Sequence, residues 1–162
     1  MADKYPKGPV TLLFTDIEGS TNLWDVNEPA MREAHAQHHR ILTDTFGEFG
    51  GTVVKDRGDG FMVAFDDPSK AVEGAATAQK GLDASDWREG LDALRVRMGI
   101  STGVVERRGA DFYGQDVNRA SRLEGLAKGG QVLVSESTRA LALGHVPPDV
   151  EFEDLGLHLL RE

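Results

Sequence analysis

The sequence predicts one soluble domain of the α/β or α+β class, and three observations carry that expectation. Val10, Thr11, Leu12, Leu13 and Phe14 form an uncharged run of β-branched, aliphatic and aromatic residues, as expected of a central strand covered on both faces. Beyond it, apolar spacing of the helical and strand periods follows in the order strand, helices, hairpin, helix, strand, helix, strand. With 162 residues, 40% apolar and 28% charged, the chain can bury one sizeable core, and no second domain is expected. Residues 1–8 read as a polar tail without an apolar targeting segment, and 9–162 as the domain.

Charge and cysteine usage narrow the function classes. The net charge of −9 disfavours nucleic acid as the main partner, because a phosphate backbone calls for a basic face. A local basic cluster remains compatible with a nucleotide. The chain has no cysteine, which removes disulfides and thiolate zinc sites and suits a reducing cytoplasm. No stretch is long and apolar enough to span a membrane.

Taken in order, the first strand ends at Asp16, beside the turn residues Glu18, Gly19, Ser20 and Thr21. A carboxylate next to exposed backbone N–H groups at the start of a helix suggests a metal-bridged phosphate, or a simple turn cap. A short helix over 20–24 follows, and Asn27 and Pro29 open a longer one. Met31, His35 or Ala34, His38, Ile41, Leu42, Thr45, Phe46 and Phe49 give that helix one apolar face, and Gly50-Gly51 ends it. His35, His38 and His39 are read as packing at the edge of this face rather than as metal ligands, since no HExxH-type carboxylate accompanies them.

Thr52 to Lys55 and Phe61 to Phe65 read as a hairpin closed by Asp56-Arg57-Gly58-Asp59-Gly60. The Asp59-Gly60 pair is good turn chemistry in itself. If the hairpin lies beside the first strand, however, Asp16 and Asp59 converge, and paired carboxylates hold Mg²⁺ over phosphates. A helix from Asp67-Pro68-Ser69 carries Ala71, Val72, Ala75, Ala76, Ala78, Gln79 and Leu82 on or near its buried side. A strand over 94–101 follows, expected to continue through Gly103 to Glu106 after a kink. Residues 107–111 read as a polar connection and 112–114 as a turn. A helix over 116–126 places Asn118 and Arg122 on one face, where they could hold a ribose or phosphate or, with Arg119, form a solvated basic face. Gln131 to Val134 reads as a buried strand, Ser135 caps a helix through Leu143, and 152–160 is expected to supply the last strand or strands.

Four motifs in this order, FTDIEGST at 14–21, VKDRGDGFMVAF at 54–65, GISTGVV at 99–105 and DFYGQDVNRASRLEGLA at 111–127, resemble the class III nucleotidyl cyclase catalytic domain of the bacterial type. The resemblance spans nearly the whole chain. It implies an α+β fold with a ferredoxin-like βαββαβ core plus an extra helix and strands, compatible with the order of elements above.

By that resemblance Asp16 and Asp59 match the two metal-binding aspartates, with the Ile17 carbonyl as a further ligand, for two Mg²⁺ or Mn²⁺ ions per site. Lys55 and Asp111 match the pair that reads the purine in adenylyl cyclases. A Lys donor beside an Asp acceptor suits adenine N1 and the exocyclic amine, whereas guanine presents the reverse pattern. Asn118 and Arg122 match the transition-state pair, and Arg161 falls near the basic residue that grips the terminal phosphates. Arg107 or Arg108 is the candidate for the other phosphate contact. The family implies a homodimer whose two sites are shared between subunits, with ATP as the substrate that Lys55 and Asp111 favour.

Overall fold

The computed structural model of the protein describes residues 8–87, 94–109 and 111–156. Its elements run in chain order as β1 (Pro9–Ile17), α1 (Ser20–Val26), α2 (Glu28–Glu48), β2 (Thr52–Asp56), β3 (Phe61–Phe65), α3 (Pro68–Asp83), β4 (Val96–Val104), β5 (Glu106–Arg108), β6 (Asp111–Tyr113), α4 (Gln115–Leu126), β7 (Val132–Val134) and α5 (Glu136–Ala142). Five strands form one sheet in the order β2-β3-β1-β4-β7. Every pairing in it is antiparallel except β4 with β7. Strands β1 to β4 with α2 and α3 are the expected βαββαβ core, and β7 extends the sheet beside β4.

Both edges of β1 are bonded, to β3 on one side and β4 on the other. Because side chains alternate across a strand, Leu13 and Ile17 face one apolar cluster while Val10, Leu12 and Phe14 face another. That double coverage is why the run carries no charge. Full burial of each leucine contributes about 2 kcal/mol.

The first face is covered by α2 and α3, with Ala142 of α5 completing the cluster. Asn27 accepts from the Ala30 N–H at 3.2 Å and starts α2, whose buried residues Met31, Ala34, His38, Leu42 and Phe46 keep helical spacing. Asp67 caps α3 by accepting from the Ser69 N–H at 2.9 Å. Ser135 does the same for α5 through Thr138.

The second face is covered by α4 and the small β5–β6 hairpin. Gly99, Ser101 and Gly103 point to the same side of β4, and they let the α4 backbone lie directly on the strand. A Cβ at Gly99 would collide with the Glu124 amide and the Ala120 carbonyl, and one at Gly103 with the Asp116 carboxylate. Between them, the Ser101 hydroxyl donates to Asp116 at 3.0 Å. The glycines of GISTGVV are therefore a docking track for α4.

Three expectations about the second half of the chain need correction. The strand expected to continue through Glu106 ends at Val104, and Glu106–Arg108 pairs with Asp111–Tyr113 as a separate two-stranded ribbon. What reads locally as a connection and a turn becomes a hairpin because Gly109 takes a φ of 63° and Phe112 is buried against the second cluster. Val132–Val134 is half-buried, and among the described residues β4 alone pairs with it. Residues 152–156 form no strand, and the rest of the last strand expected at 152–160 lies outside the described residues, as does the tail up to residue 7. Among the described residues no helix is long and apolar enough to cross a membrane.

Candidate active site

Asp16 lies near the end of β1 on the face that α4 covers, opposite Arg97 in the β1–β4 register. Four contacts dock the turn between β2 and β3 against this end. The Ile17 N–H donates to the Asp59 carbonyl at 3.0 Å, the Phe61 N–H to the Thr15 hydroxyl at 2.9 Å, and Arg57 Nη2 to the Thr15 carbonyl at 2.8 Å. Gly60 completes the fit, since a Cβ there would collide with the same Thr15 carbonyl. Sequence-distant Asp16 and Asp59 thus come from backbone segments joined by a hydrogen bond.

This donor set fits a hard divalent cation. Mg²⁺ and Mn²⁺ take oxygen ligands, keep several waters and are typically held by one or two carboxylates together with substrate phosphates. Among the described residues no group of three or more His, Cys, Asp or Glu forms an all-protein cage. Two half-exposed carboxylates, one on β1 and one on the turn docked against it, suit an ion that arrives with its phosphate. Ile17 is buried beside them.

Lys55 on β2 and Asp111 at the start of β6 meet directly, with Nζ 2.6 Å from Oδ2. Burial pushes the Asp111 carboxyl up, but the Lys55 ammonium and the Phe112 N–H at 2.8 Å outweigh it and hold the group below its usual range. Asn118 and Arg122 sit one turn apart on α4, Asn118 exposed and Arg122 half-buried. Arg108 pairs with Glu106 at 2.9 Å and lies over the Tyr113 ring, while Arg107, also exposed, stands opposite Phe112 in the same ribbon. Arg161 lies outside the described residues. Among the described residues no hydrogen bond or ion pair joins Asp16 or Asp59 to Lys55, Asp111, Asn118 or Arg122.

Three further charged residues line the same end of the sheet. Arg97 Nη2 donates to Asp16 Oδ2, and that bond raises the guanidinium's already high pKa. Glu124 is buried where α4 ends, with Arg57 Nη2 at 3.3 Å. Burial raises its pKa, the Asp16 charge adds to the effect, and Arg97 and Arg57 oppose it. Arg57 also lies over the Phe14 ring, 5.1 Å from its centroid.

Residues 2–159 match the adenylate and guanylate cyclase catalytic domain family. The chain belongs to that family. This cyclase domain is 39% identical over 158 residues to an uncharacterized protein of Mycobacterium tuberculosis, covering 96% of the chain and 53% of the relative. It is 33% identical to a receptor-type adenylate cyclase of Trypanosoma brucei brucei, covering 99% of the chain and 16% of that protein. The chain therefore spans about half the length of the mycobacterial relative and a small part of the trypanosome receptor. Among solved structures, adenylate cyclases of Trypanosoma brucei in their monomeric state align with a TM-score of 0.79 at 32% identity, over 89% of this chain and 80% of theirs. The guanylyl cyclase Cya2 aligns with a TM-score of 0.74 at 26% identity, over 94% and 89%.

For the cyclase domain, reading the sequence alone missed Arg97, Glu124 and Arg57. Arg97 stands in an alternation of apolar and basic residues that reads as a strand with one solvated face, yet its register partner is Asp16. Glu124 stands among polar helix residues, and only the absence of a side chain at Gly99 lets the helix sink far enough to bury it.

Proposed function

We propose that the domain is an adenylyl cyclase that converts ATP to 3′,5′-cyclic AMP and pyrophosphate at two equivalent sites of a homodimer. The observation that carries this reading is the Lys55–Asp111 pair, a donor and an acceptor held 2.6 Å apart on neighbouring elements. Adenine offers an acceptor at N1 and a donor at its amine, which matches them, while guanine would set donor against donor and acceptor against acceptor.

In the reaction the ribose 3′-oxygen attacks the α-phosphorus, the bond to the bridging oxygen breaks, pyrophosphate leaves, and the 3′-hydroxyl proton is released. Asp16 and Asp59, with the Ile17 carbonyl, would hold two Mg²⁺ or Mn²⁺ ions. Such ions neutralise phosphate charge and make the 3′-hydroxyl more acidic. Asn118 orients the ribose, and the Arg122 guanidinium stabilises charge on the transferring phosphoryl group. Arg97, beside Asp16, supplies a fixed cation on the same side, and Arg161 is assigned to the terminal phosphates by family resemblance.

Sharing of the sites between subunits rests on the family resemblance, in which the metal aspartates come from one chain and the purine and transition-state residues from the other. A cytoplasmic location fits both the substrate and a chain without cysteine.

The test is formation of cyclic nucleotide from ATP or GTP with Mg²⁺ or Mn²⁺ across a range of protein concentrations. Cyclic AMP should form, with specific activity rising as the dimer assembles. No metal-dependent turnover, or a preference for GTP, overturns the proposal.

A further inference from the structure

The turn that carries Asp59 is approached from the helical side of the fold by two N–H donors, one aimed at its carboxylate and one at the backbone carbonyl just before it. Trp24 of α1 donates its indole N–H to Asp59 Oδ1 at 3.4 Å. His35 of α2 brings Nε2 to 3.4 Å from the same Oδ1 and to 2.7 Å from the Gly58 carbonyl. A carbonyl only accepts, so Nε2 carries the hydrogen and is the donor to this turn. The two rings adjoin, with centroids 5.5 Å apart, and His39 behind them reaches Asp56 at 3.2 Å. Asp59 Oδ2 has no hydrogen bond among the described residues.

We infer that Trp24 and His35 are positioning residues for Asp59: Trp24 holds Oδ1 and His35 anchors the backbone just before it, which turns Oδ2 toward a divalent cation. The inference rests on the proposed role of Asp59 as a metal ligand. An exposed carboxylate rotates about χ2 and must be ordered when the ion binds. One donor to the carboxylate and one to the backbone that carries it fix its plane beforehand, which raises affinity without touching ion or nucleotide. Asp59 needs such support more than Asp16, whose carboxylate projects from a strand bonded on both edges, whereas Asp59 sits in a turn.

The experiment measures Mn²⁺ affinity by electron paramagnetic resonance on the full chain, with an ATP analogue carrying a methylene between the α- and β-phosphates. Thermal unfolding is recorded alongside. Trp24→Phe and His35→Phe keep the ring contacts and remove the donors. Each should weaken Mn²⁺ binding about tenfold, the lower end of what outer partners of metal ligands typically supply. His35→Gln, which retains an N–H donor, should recover most of the loss, and Trp24→Phe should add nothing in an Asp59→Asn background. A purely structural role would instead lower the unfolding temperature and act equally in both backgrounds. Wild-type Mn²⁺ affinity in both phenylalanine variants, or equal weakening in the Asp59→Asn background, overturns the inference while leaving Asp59 as a ligand. An Asp59→Asn protein that binds Mn²⁺ as well as wild type removes Asp59 from the site, and the inference falls with it.

Discussion

His38 stands on α2 with its ring fully buried, stacked beside Phe61, and its Nε2 meets no hydrogen-bond partner. Burial, with His39 and His35 adding to it, lowers its pKa from 6.5 to about 3. In the unfolded chain the imidazole takes up a proton near pH 6.5, while in the folded chain it stays neutral. Between these values the unfolded state binds more protons, so stability is full above the upper one and is lost progressively as pH falls toward the lower. At pH 5 the gap of about 1.5 pH units below the unfolded value corresponds to about 2 kcal/mol, a sizeable part of a domain's typical margin. Urea unfolding of wild type and His38→Leu at pH 7.5 and pH 5 isolates this contribution, because the remaining titrating groups are common to both proteins. Wild type should lose about 2 kcal/mol more than His38→Leu over that interval. Equal losses would refute the reasoning and mean that His38 is not held neutral by its surroundings.

Four further outcomes are expected. Asp16→Asn keeps shape but loses charge, so turnover should largely disappear while circular dichroism stays native; full activity in a folded variant removes Asp16 from the metal site. Lys55→Glu combined with Asp111→Gly should lower ATP use and admit some GTP, and an unchanged ratio of the two activities would show that the purine is read elsewhere. Mixing inactive Asp16→Asn with inactive Arg122→Ala should restore up to about a quarter of wild-type activity, since a mixed dimer carries one intact site and one doubly defective site. No recovery, with subunit exchange confirmed by tag pull-down, would mean a site built within one chain or a misassigned Arg122. Gly99→Ala should destabilise the fold by about 1–3 kcal/mol or more in urea, because the added methyl meets α4 backbone rather than a movable side chain, and an unchanged midpoint would defeat that account of α4 docking.

What could be read from the sequence was what residues settle with their near neighbours. The uncharged run of β1, the caps at Asn27, Asp67 and Ser135, the Asp59-Gly60 hairpin and the buried spacing of α2 and α3 all depend on dihedral preference and periodicity within a few residues. The four ordered motifs also carried the family, because they hold those local elements at domain-like spacing.

Tertiary structure alone decided the rest. The Asp16–Arg97 bond joins residues 81 positions apart through sheet register, which no local pattern encodes. Lys55 and Asp111 meet only because β2 and the β5–β6 ribbon are brought together, and that ribbon is itself a tertiary outcome: its strands are three residues each, too short to be read locally, and Phe112 anchors them in the second cluster. Glu124 is buried, and its carboxyl pushed upward, because α4 rests on Gly99 and Gly103 and carries that side chain into the space between Arg57, Arg97 and Asp16. Local chemistry chose the elements, but the charges of the site acquire their partners through packing between residues the chain holds far apart.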